Sequence, residues 1–373
     1  MQLNFPTILF YLFVVVAGIQ LLYWLFYFIG LLRLKKYKPN GQKAVPGISI
    51  VVAARNELDN LKKIIPALMV QDHPDYEVII ISDRSSDGTV EYLNQVEGEY
   101  ANLKTSHIDD LPIHISGKKF AITMGIKAAK HNQVLLTDAD CMPFSASWVT
   151  NMSSGFNQGA DIILGFSNYF KLPGFLNFFL RFETLLTGIE YLSAAANKLP
   201  YMGVGRNLAY KKDLFMENKG FFGYQELIGG DDDLFVNKHA TARNTIAIGG
   251  DNAGTLSAPK TTWSSYWKQK SRHLYIGKFY SFKTKFMLAI FNISWIFTWF
   301  LAIWCILAGV NMYWIAYGLL IREVFLISTF ILATKKLGIA FEIGGVIFAD
   351  IIFAIYYIFA GTKALFVKKI SWA

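Results

Sequence analysis

The sequence predicts an α/β protein with a mostly parallel sheet, flanked at both ends by membrane-spanning helices. Three observations carry that expectation. Between Ile48 and Thr137, short apolar runs alternate with segments of helical periodicity, the pattern of successive strand–helix units. Thr7 to Leu32 and Phe286 to Ile321 contain no charged residue, and each is long enough to cross a bilayer. Arg33, Lys35, Lys36 and Lys38 follow the first apolar run at once, as in a cytoplasmic flank.

Composition agrees with this division. Hydrophobic residues make up 53% of the chain and aromatics 16%, more than a soluble domain needs, and the surplus sits at the two ends. The formal net charge of +9 comes from Lys and Arg beside apolar runs rather than from one long basic tract. Anionic headgroups and positive-inside topology explain that placement better than nucleic acid does. Cys141 and Cys305 are far apart and build neither a disulfide framework nor a zinc spacing, which fits a reducing cytoplasm. The first apolar run lacks a basic start, a short core and a small-residue cleavage site, so it reads as a span and not a signal peptide.

Taken in order, the first span is followed by a Pro-, Asn- and Gly-containing linker over Pro39 to Gly47. Ile48 to Ala54 is expected as a buried strand. Asp59 to Val70 is a helix by the spacing of Leu61, Ile64, Ile65 and Leu68, with Pro66 kinking or shortening it. Glu77 to Ile81 is a second strand, Thr89 to Val96 a weak helix and Leu103 to Ile108 a third strand. Lys119 to Lys130 is a helix, and Val134 to Thr137 a fourth strand. Ligands bind such sheets at the carboxyl ends of the strands, so Arg55, Asp83 and Asp138 should gather along one rim.

Beyond the sheet, Phe175 to Leu192 is either a buried core helix or a helix lying in the bilayer surface. The uncharged run from Phe286 breaks at Ala308-Gly309-Val310-Asn311, giving spans near 287–308, 312–334 and 340–361. Arg322, Glu323 and Asp350 fall mid-span and must face protein or a wet cavity. Residues at i and i+1 point apart on a helix, so Arg322 is expected to meet Asp350 on the neighbouring span and not Glu323.

Side chains that can do chemistry cluster after the strands. Asp138 and Asp140 flank Ala139 at a strand end, where alternation lets both point one way. Two hard oxygen ligands there can hold Mg²⁺ or Mn²⁺, and through it a diphosphate. Alone, such a pair reads as a solvated turn; its neighbours argue otherwise. Asp83 can accept from a nucleobase, whereas Asp87 suits a helix cap. Gly117 and Lys118 open a helix, where close approach and a cation suit a phosphate or a base carbonyl. Asp231, Asp232 and Asp233 follow two glycines, and crowding of like charges favours a general base among them. Gln269, Arg272 and His273 share a helix face that can hold a diphosphate or a sugar.

In this order, Arg55-Asn56-Glu57, Asp83, Gly117-Lys118, Asp138-Ala139-Asp140, the Asp231 cluster and Gln269-x-x-Arg272-His273 resemble the motifs of membrane-bound family 2 glycosyltransferases of the GT-A fold. The resemblance covers about residues 47–275. One span before and three after are more similar to ceramide glucosyltransferase than to processive cellulose or hyaluronan synthases. The resemblance implies a Rossmann-like cytoplasmic domain over 39–285, between an N-terminal span and basic flank over 1–38 and three spans over 286–373. It places Arg55, Glu57, Asp83, Lys118 and Asp138 at the nucleotide sugar, Asp140 at the metal and Asp231 as the catalytic base. Gln269, Arg272 and His273 fall at the diphosphate or the acceptor. Three positions depart from the pattern: Gly230 where a glutamate is common, Arg84 where a glycine is common, and His273 where a tryptophan stacks on sugar.

The implied reaction is inverting transfer of a sugar from a nucleotide diphosphate sugar, a UDP-sugar by expectation, to a lipid or lipid-linked glycan. It needs Mg²⁺ or Mn²⁺ and takes place at the cytoplasmic face of a multi-pass membrane protein, the inner membrane in a bacterium. The alternatives are a processive polysaccharide synthase and a non-catalytic membrane scaffold.

Overall fold

The computed structural model describes residues 4–36 and 46–366. The expected linker lies mostly outside them, as do Lys38, Lys368 and Lys369. In chain order the helices are α1 Phe5–Arg33, α2 Leu58–Met69, α3 Thr89–Glu97, α4 Gly117–Ala128, α5 Trp148–Ser153, α6 Phe175–Ala196, α7 Lys212–Glu217, α8 Asp233–His239, α9 Trp263–Gly277, α10 Phe282–Leu307, α11 Met312–Leu337 and α12 Val346–Phe366. The strands are β1 Lys35–Lys36, β2 Ile48–Ala54, β3 Tyr76–Asp83, β4 Leu103–Ile108, β5 Gln133–Asp138, β6 Cys141–Pro143, β7 Ile162–Leu164, β8 Ser167–Tyr169, β9 Leu208–Lys211, β10 Thr245–Gly249 and β11 Thr255–Ser257.

Among the described residues the main sheet runs β1-β10-β7-β9-β5-β2-β3-β4. Its ladders are parallel except where β9 inserts antiparallel between β5 and β7. β2 lies between β3 and β5, and every residue of Ile48–Ala54 is buried but Ala53, which is half-buried. A central parallel strand has helices over both faces, which is why it reads as a continuous apolar run. A smaller sheet, β6-β11-β8, folds beside the end of β5 and holds the chain that follows Asp138. Helix α2 runs through Pro66 to Met69, so the proline neither ends nor shortens it by more than a residue.

Four helical stretches among the described residues, α1, α10, α11 and Ile343–Lys363, which takes in most of α12, are long and apolar enough to cross a membrane. Helix α10 begins at Phe282, ahead of the expected 287. Helix α6 resolves to the core reading: Arg181, Glu183 and Glu190 are all buried, and it packs against α1 and against the β8 and β10 strands. Gly30 makes the α1 contact possible, since a Cβ there would stand 2.5 Å from the Ser193 carbonyl oxygen. Arg181 pairs with Glu342 at 2.9 Å, which ties α6 to the segment before α12.

Mid-span, Arg322 forms a two-pronged pair with Asp350 on the neighbouring span, 2.8 Å at each prong, as expected. The expectation that Arg322 avoids Glu323 is corrected: the two side chains also bond. Helix geometry separates the Cβ atoms of adjacent residues, but both side chains are long enough to curl to one point. Gln20 of α1 accepts from the same guanidinium at 3.3 Å and donates to Ser294 of α10 at 2.8 Å. Trp299 donates to Asp350 at 2.8 Å, so all four spans meet at one polar node. Breaking a buried pair from one side leaves a stranded charge and costs about 3–5 kcal/mol. Arg322→Leu is therefore expected to lower the unfolding temperature in detergent more than Arg322→Leu combined with Asp350→Leu. Equal losses would show that the pair does not hold the spans.

Candidate active site

The carboxyl ends of β2, β3 and β5 open into a cleft of about 720 Å³. Arg55, Glu57, Asp83, Lys118, Asp138, Asp140 and Arg272 line it, together with Arg84 and residues 111 and 114–117. Two loops at the floor are laced together. Asn56 N–H donates to Ser85 Oγ at 3.0 Å, and Asn56 Oδ1 accepts from Ser86 N–H at 2.8 Å. Asp87 accepts from the backbone of Leu58 and Thr89, so it caps the starts of α2 and α3, as its sequence context suggests.

The adjacent lysines of α4 part company. Lys118 Nζ bridges Asp138 Oδ1 at 2.8 Å and Asp231 Oδ2 at 3.1 Å, which joins a strand end to the loop before α8. Lys119 is fully buried and donates to the carbonyls of Tyr224, Leu227 and Gly229 at 2.6–2.8 Å. It thereby holds the backbone that leads into Asp231.

The three acids are likewise divided by geometry. Asp232 accepts from the Gly205 and Asp233 amides, and Asp233 accepts from Tyr280 OH at 2.7 Å. Asp231 faces Lys118. Burial alone would raise its carboxyl, but Lys118 and Lys119 outweigh burial and hold it below the ordinary Asp value. Burial and the charge of Asp231 push Asp232 up instead, so the upward shift from crowding falls on the neighbours. Asp231 is then ionised and able to accept a proton at neutral pH.

Acidic and basic side chains are interleaved along the rim. Burial raises the Glu57 carboxyl, and the charges of Asp140 and Asp138 add to it against a bond from Asn60. Asp138, Asp140 and Cys141 bring ligand atoms within 4.8 Å of one another. The Cys141 thiol, pushed up by burial and by Asp140, stays neutral and donates to Asp140 at 3.2 Å, while Ser257 donates to the other oxygen at 3.1 Å. Cys141 and Ser257 thus orient Asp140. The oxygen donors that remain suit a hard cation such as Mg²⁺ or Mn²⁺.

On α9, Arg272 reaches the cleft, Gln269 donates to Tyr169 OH at 3.3 Å, and His273 is exposed. Glu183 of α6 accepts from Tyr266 at 2.9 Å, from Tyr356 of α12 at 3.2 Å and from Lys270, so the helix carrying Arg272 is fastened to an apolar span. Sequence reasoning left several residues unassigned. Cys141 and Ser257 are among them, as are the 111–116 loop and Arg206, whose guanidinium stacks 4.7 Å from the Tyr169 ring. Only the adjacency of Cys141 to Asp140 was a signal; the rest come from distant segments.

A cleft at the carboxyl rim of such a mixed, mostly parallel sheet is the arrangement of the GT-A fold. Residues 49–218 match the model of glycosyl transferase family 2, so the chain carries a domain of that family. It is 28% identical over 123 residues to glycosyltransferase AglE of Haloferax volcanii, covering 32% of this chain and 39% of that one. It is 33% identical over 96 residues to a poly-beta-1,6-N-acetyl-D-glucosamine synthase of Staphylococcus epidermidis, covering 26% and 22%. The matched stretches thus span well under half of these relatives' lengths. Among solved structures, a mannosyltransferase of Pyrobaculum calidifontis in complex with GDP-Man and Mn²⁺ matches along 98% of this chain and 99% of that one, with a TM-score of 0.57 at 17% identity.

At about 1 kcal/mol for each of the three carbonyls left without a donor, and about 2–4 °C per kcal/mol, Lys119→Met is expected to lower the unfolding temperature by roughly 6–12 °C. A change below about 2 °C would show that the loop before Asp231 is held by other contacts.

Proposed function

We propose that this enzyme moves a sugar from a nucleotide diphosphate sugar to a lipid or lipid-linked acceptor at the cytoplasmic face of the membrane. The observation that carries this reading is one cleft edged by Asp138, Asp140, Lys118 and Arg272, with the buried Asp231 bonded to Lys118 behind it and Arg272 on a helix fastened to an apolar span. A site so close to the bilayer favours an acceptor that lies in it. The basic ends of the spans support the cytoplasmic side: Arg33 bonds Asn197 at 2.9 Å, and Lys336 bonds the Leu32 carbonyl at 3.1 Å, both on the side of the α/β unit.

In this reading the donor lies along the rim. Its base is near Asp83, its ribose and phosphates near Arg55, Glu57 and Asp138, and its diphosphate is within reach of Lys118 and Arg272. Mg²⁺ or Mn²⁺, held by Asp140 beside Asp138, would offset charge on the diphosphate; the Pyrobaculum mannosyltransferase carries Mn²⁺ with its nucleotide sugar. Asp231 takes the proton of an acceptor hydroxyl. That oxygen bonds to the anomeric carbon as the bond to the diphosphate breaks, and the electron pair leaves with the phosphate. A single displacement from the opposite face inverts the configuration. Arg272 stabilises the leaving charge, while Gln269 and His273 face the acceptor. A UDP-sugar is the expected donor.

Similarity to the poly-N-acetylglucosamine synthase favours a second reading, processive polymerisation. Radiolabelled product decides between them: short and solvent-extractable for a lipid acceptor, long and insoluble for a polymer.

A general base contributes about 10²–10⁴-fold. Asp231→Asn is therefore expected to lower turnover by that factor while nucleotide-sugar affinity stays within about threefold. An active Asp231→Asn with a dead Asp232→Asn would move the base to the neighbour. Asp140→Asn is expected to abolish the response of turnover to Mn²⁺, and an unchanged metal titration would remove Asp140 from that role.

A further inference from the structure

Arg84 is unused by this chemistry, yet its backbone is strained. Its φ is 50°, in the left-handed region that side chains other than glycine rarely adopt. The surrounding loops enforce it. Ser85 Oγ accepts from Ser82 at 2.9 Å and from the Asn56 amide at 3.0 Å, and the Ser86 amide is held by Asn56. Strain of this kind persists where neighbours over-determine it, and it marks functional positions.

The strained backbone places Arg84 against its own chain neighbour. Nε donates to Asp83 Oδ1 at 2.7 Å and Nη2 to Oδ2 at 3.2 Å, a planar two-pronged pair. The pair lies on the first turn of α4. A Cβ on Gly117 would stand 2.0 Å from Asp83 Oδ2 and 2.6 Å from Arg84 Nη2, so only glycine permits the approach. Asp83 is buried behind, with 6% of its side chain exposed, and Arg84 is 31% exposed; both line the cleft.

We infer that Arg84 sets the nucleobase specificity of this enzyme. The inference rests on the cleft being the donor site and names the class of base it takes. Asp83 keeps lone pairs, and Arg84 keeps three of its five N–H groups, so the plate offers an acceptor beside donors. A base with a ring N–H next to a ring carbonyl matches it: the N–H (N3 of uracil, N1 of guanine) meets Asp83 and the carbonyl (C4 of uracil, C6 of guanine) meets Arg84. Uracil and guanine have that edge. With ribose and phosphates placed the same way, cytosine and adenine put an amino group at the guanidinium and a bare ring nitrogen at the carboxylate. Both contacts are then mismatched, and a site built for hydrogen bonds rejects such an analogue strongly.

The test is calorimetric binding of UDP, CDP, GDP and ADP, with Mn²⁺, to the full chain in detergent. Wild type is expected to prefer UDP over CDP, and GDP over ADP, by about tenfold or more. Arg84→Gly accepts the left-handed backbone without strain. It should weaken UDP and GDP and bring both ratios to within about threefold, with CDP and ADP nearly unchanged; Arg84→Lys, which keeps the charge without the fork, should fall between. A ratio is unaffected by partial unfolding, so a merely structural role would leave it in place. Undiminished ratios in Arg84→Gly, or their absence in wild type, would overturn the inference while the donor site stands. Failure of all four nucleotides to bind wild type would overturn the donor-site reading and this inference with it.

Discussion

The ammonium of Lys118 stands between two carboxylates that belong to different halves of the domain. Asp138 ends β5 in the first half, and Asp231 lies in the loop before α8 in the second. Without a cation between them, these acids would repel across a partly dry cleft, where Coulomb interactions are several times stronger than in water. Lys118 can sit there because it opens α4, whose first turn is fixed on one side by Gly117 against Asp83 and on the other by Lys119 in the core. A nucleotide diphosphate entering the cleft offers Lys118 a competing anion, and Asp231 would then lose a partner as the donor arrives.

The same logic of joining distant segments fastens the site to the apolar helices. Glu183 collects hydroxyls from α9 and α12 and the ammonium of Lys270, and it does so from a buried helix that also packs against α1. Arg322 collects Asp350, Glu323 and Gln20 deeper in the spans. Buried charges of this sort are poor sources of stability, since desolvation offsets most of the attraction. Their geometry is specific, however. The Glu183 contacts fix the rotation of α9, and with it the direction in which Arg272 points, while the Arg322 contacts join the spans to one another.

Much of this was legible in the sequence, for definite reasons. β2, β3 and β5 appear within a few residues of expectation because strands buried on both faces must be largely apolar, whereas the edge strand β4 shows only through Leu103 and Ile108 at its ends. Asp138 and Asp140 could be paired because strand alternation is a local rule. What stayed hidden depends on contacts between distant segments. Nothing local says that Lys119 is core and Lys118 is cleft, because both stand at the start of one helix. Ser257 reaches Asp140 only through the small β6-β11-β8 sheet. Arg84 looked like a departure from pattern, and its meaning lies in a backbone angle that composition does not encode. The Arg322–Glu323 bond escaped a rule that holds for Cβ directions and not for the tips of long side chains.

The most direct measurement is an experimental structure of the protein with a nucleotide diphosphate sugar and Mn²⁺ bound in lipid nanodiscs. The base is expected on the Asp83–Arg84 pair, the diphosphate between Lys118, Arg272 and the Asp138–Asp140 rim, and the anomeric carbon facing Asp231 with its far side open toward α9. A donor bound outside this cleft, or bound within it with the anomeric carbon turned away from Asp231, would contradict the proposed reaction.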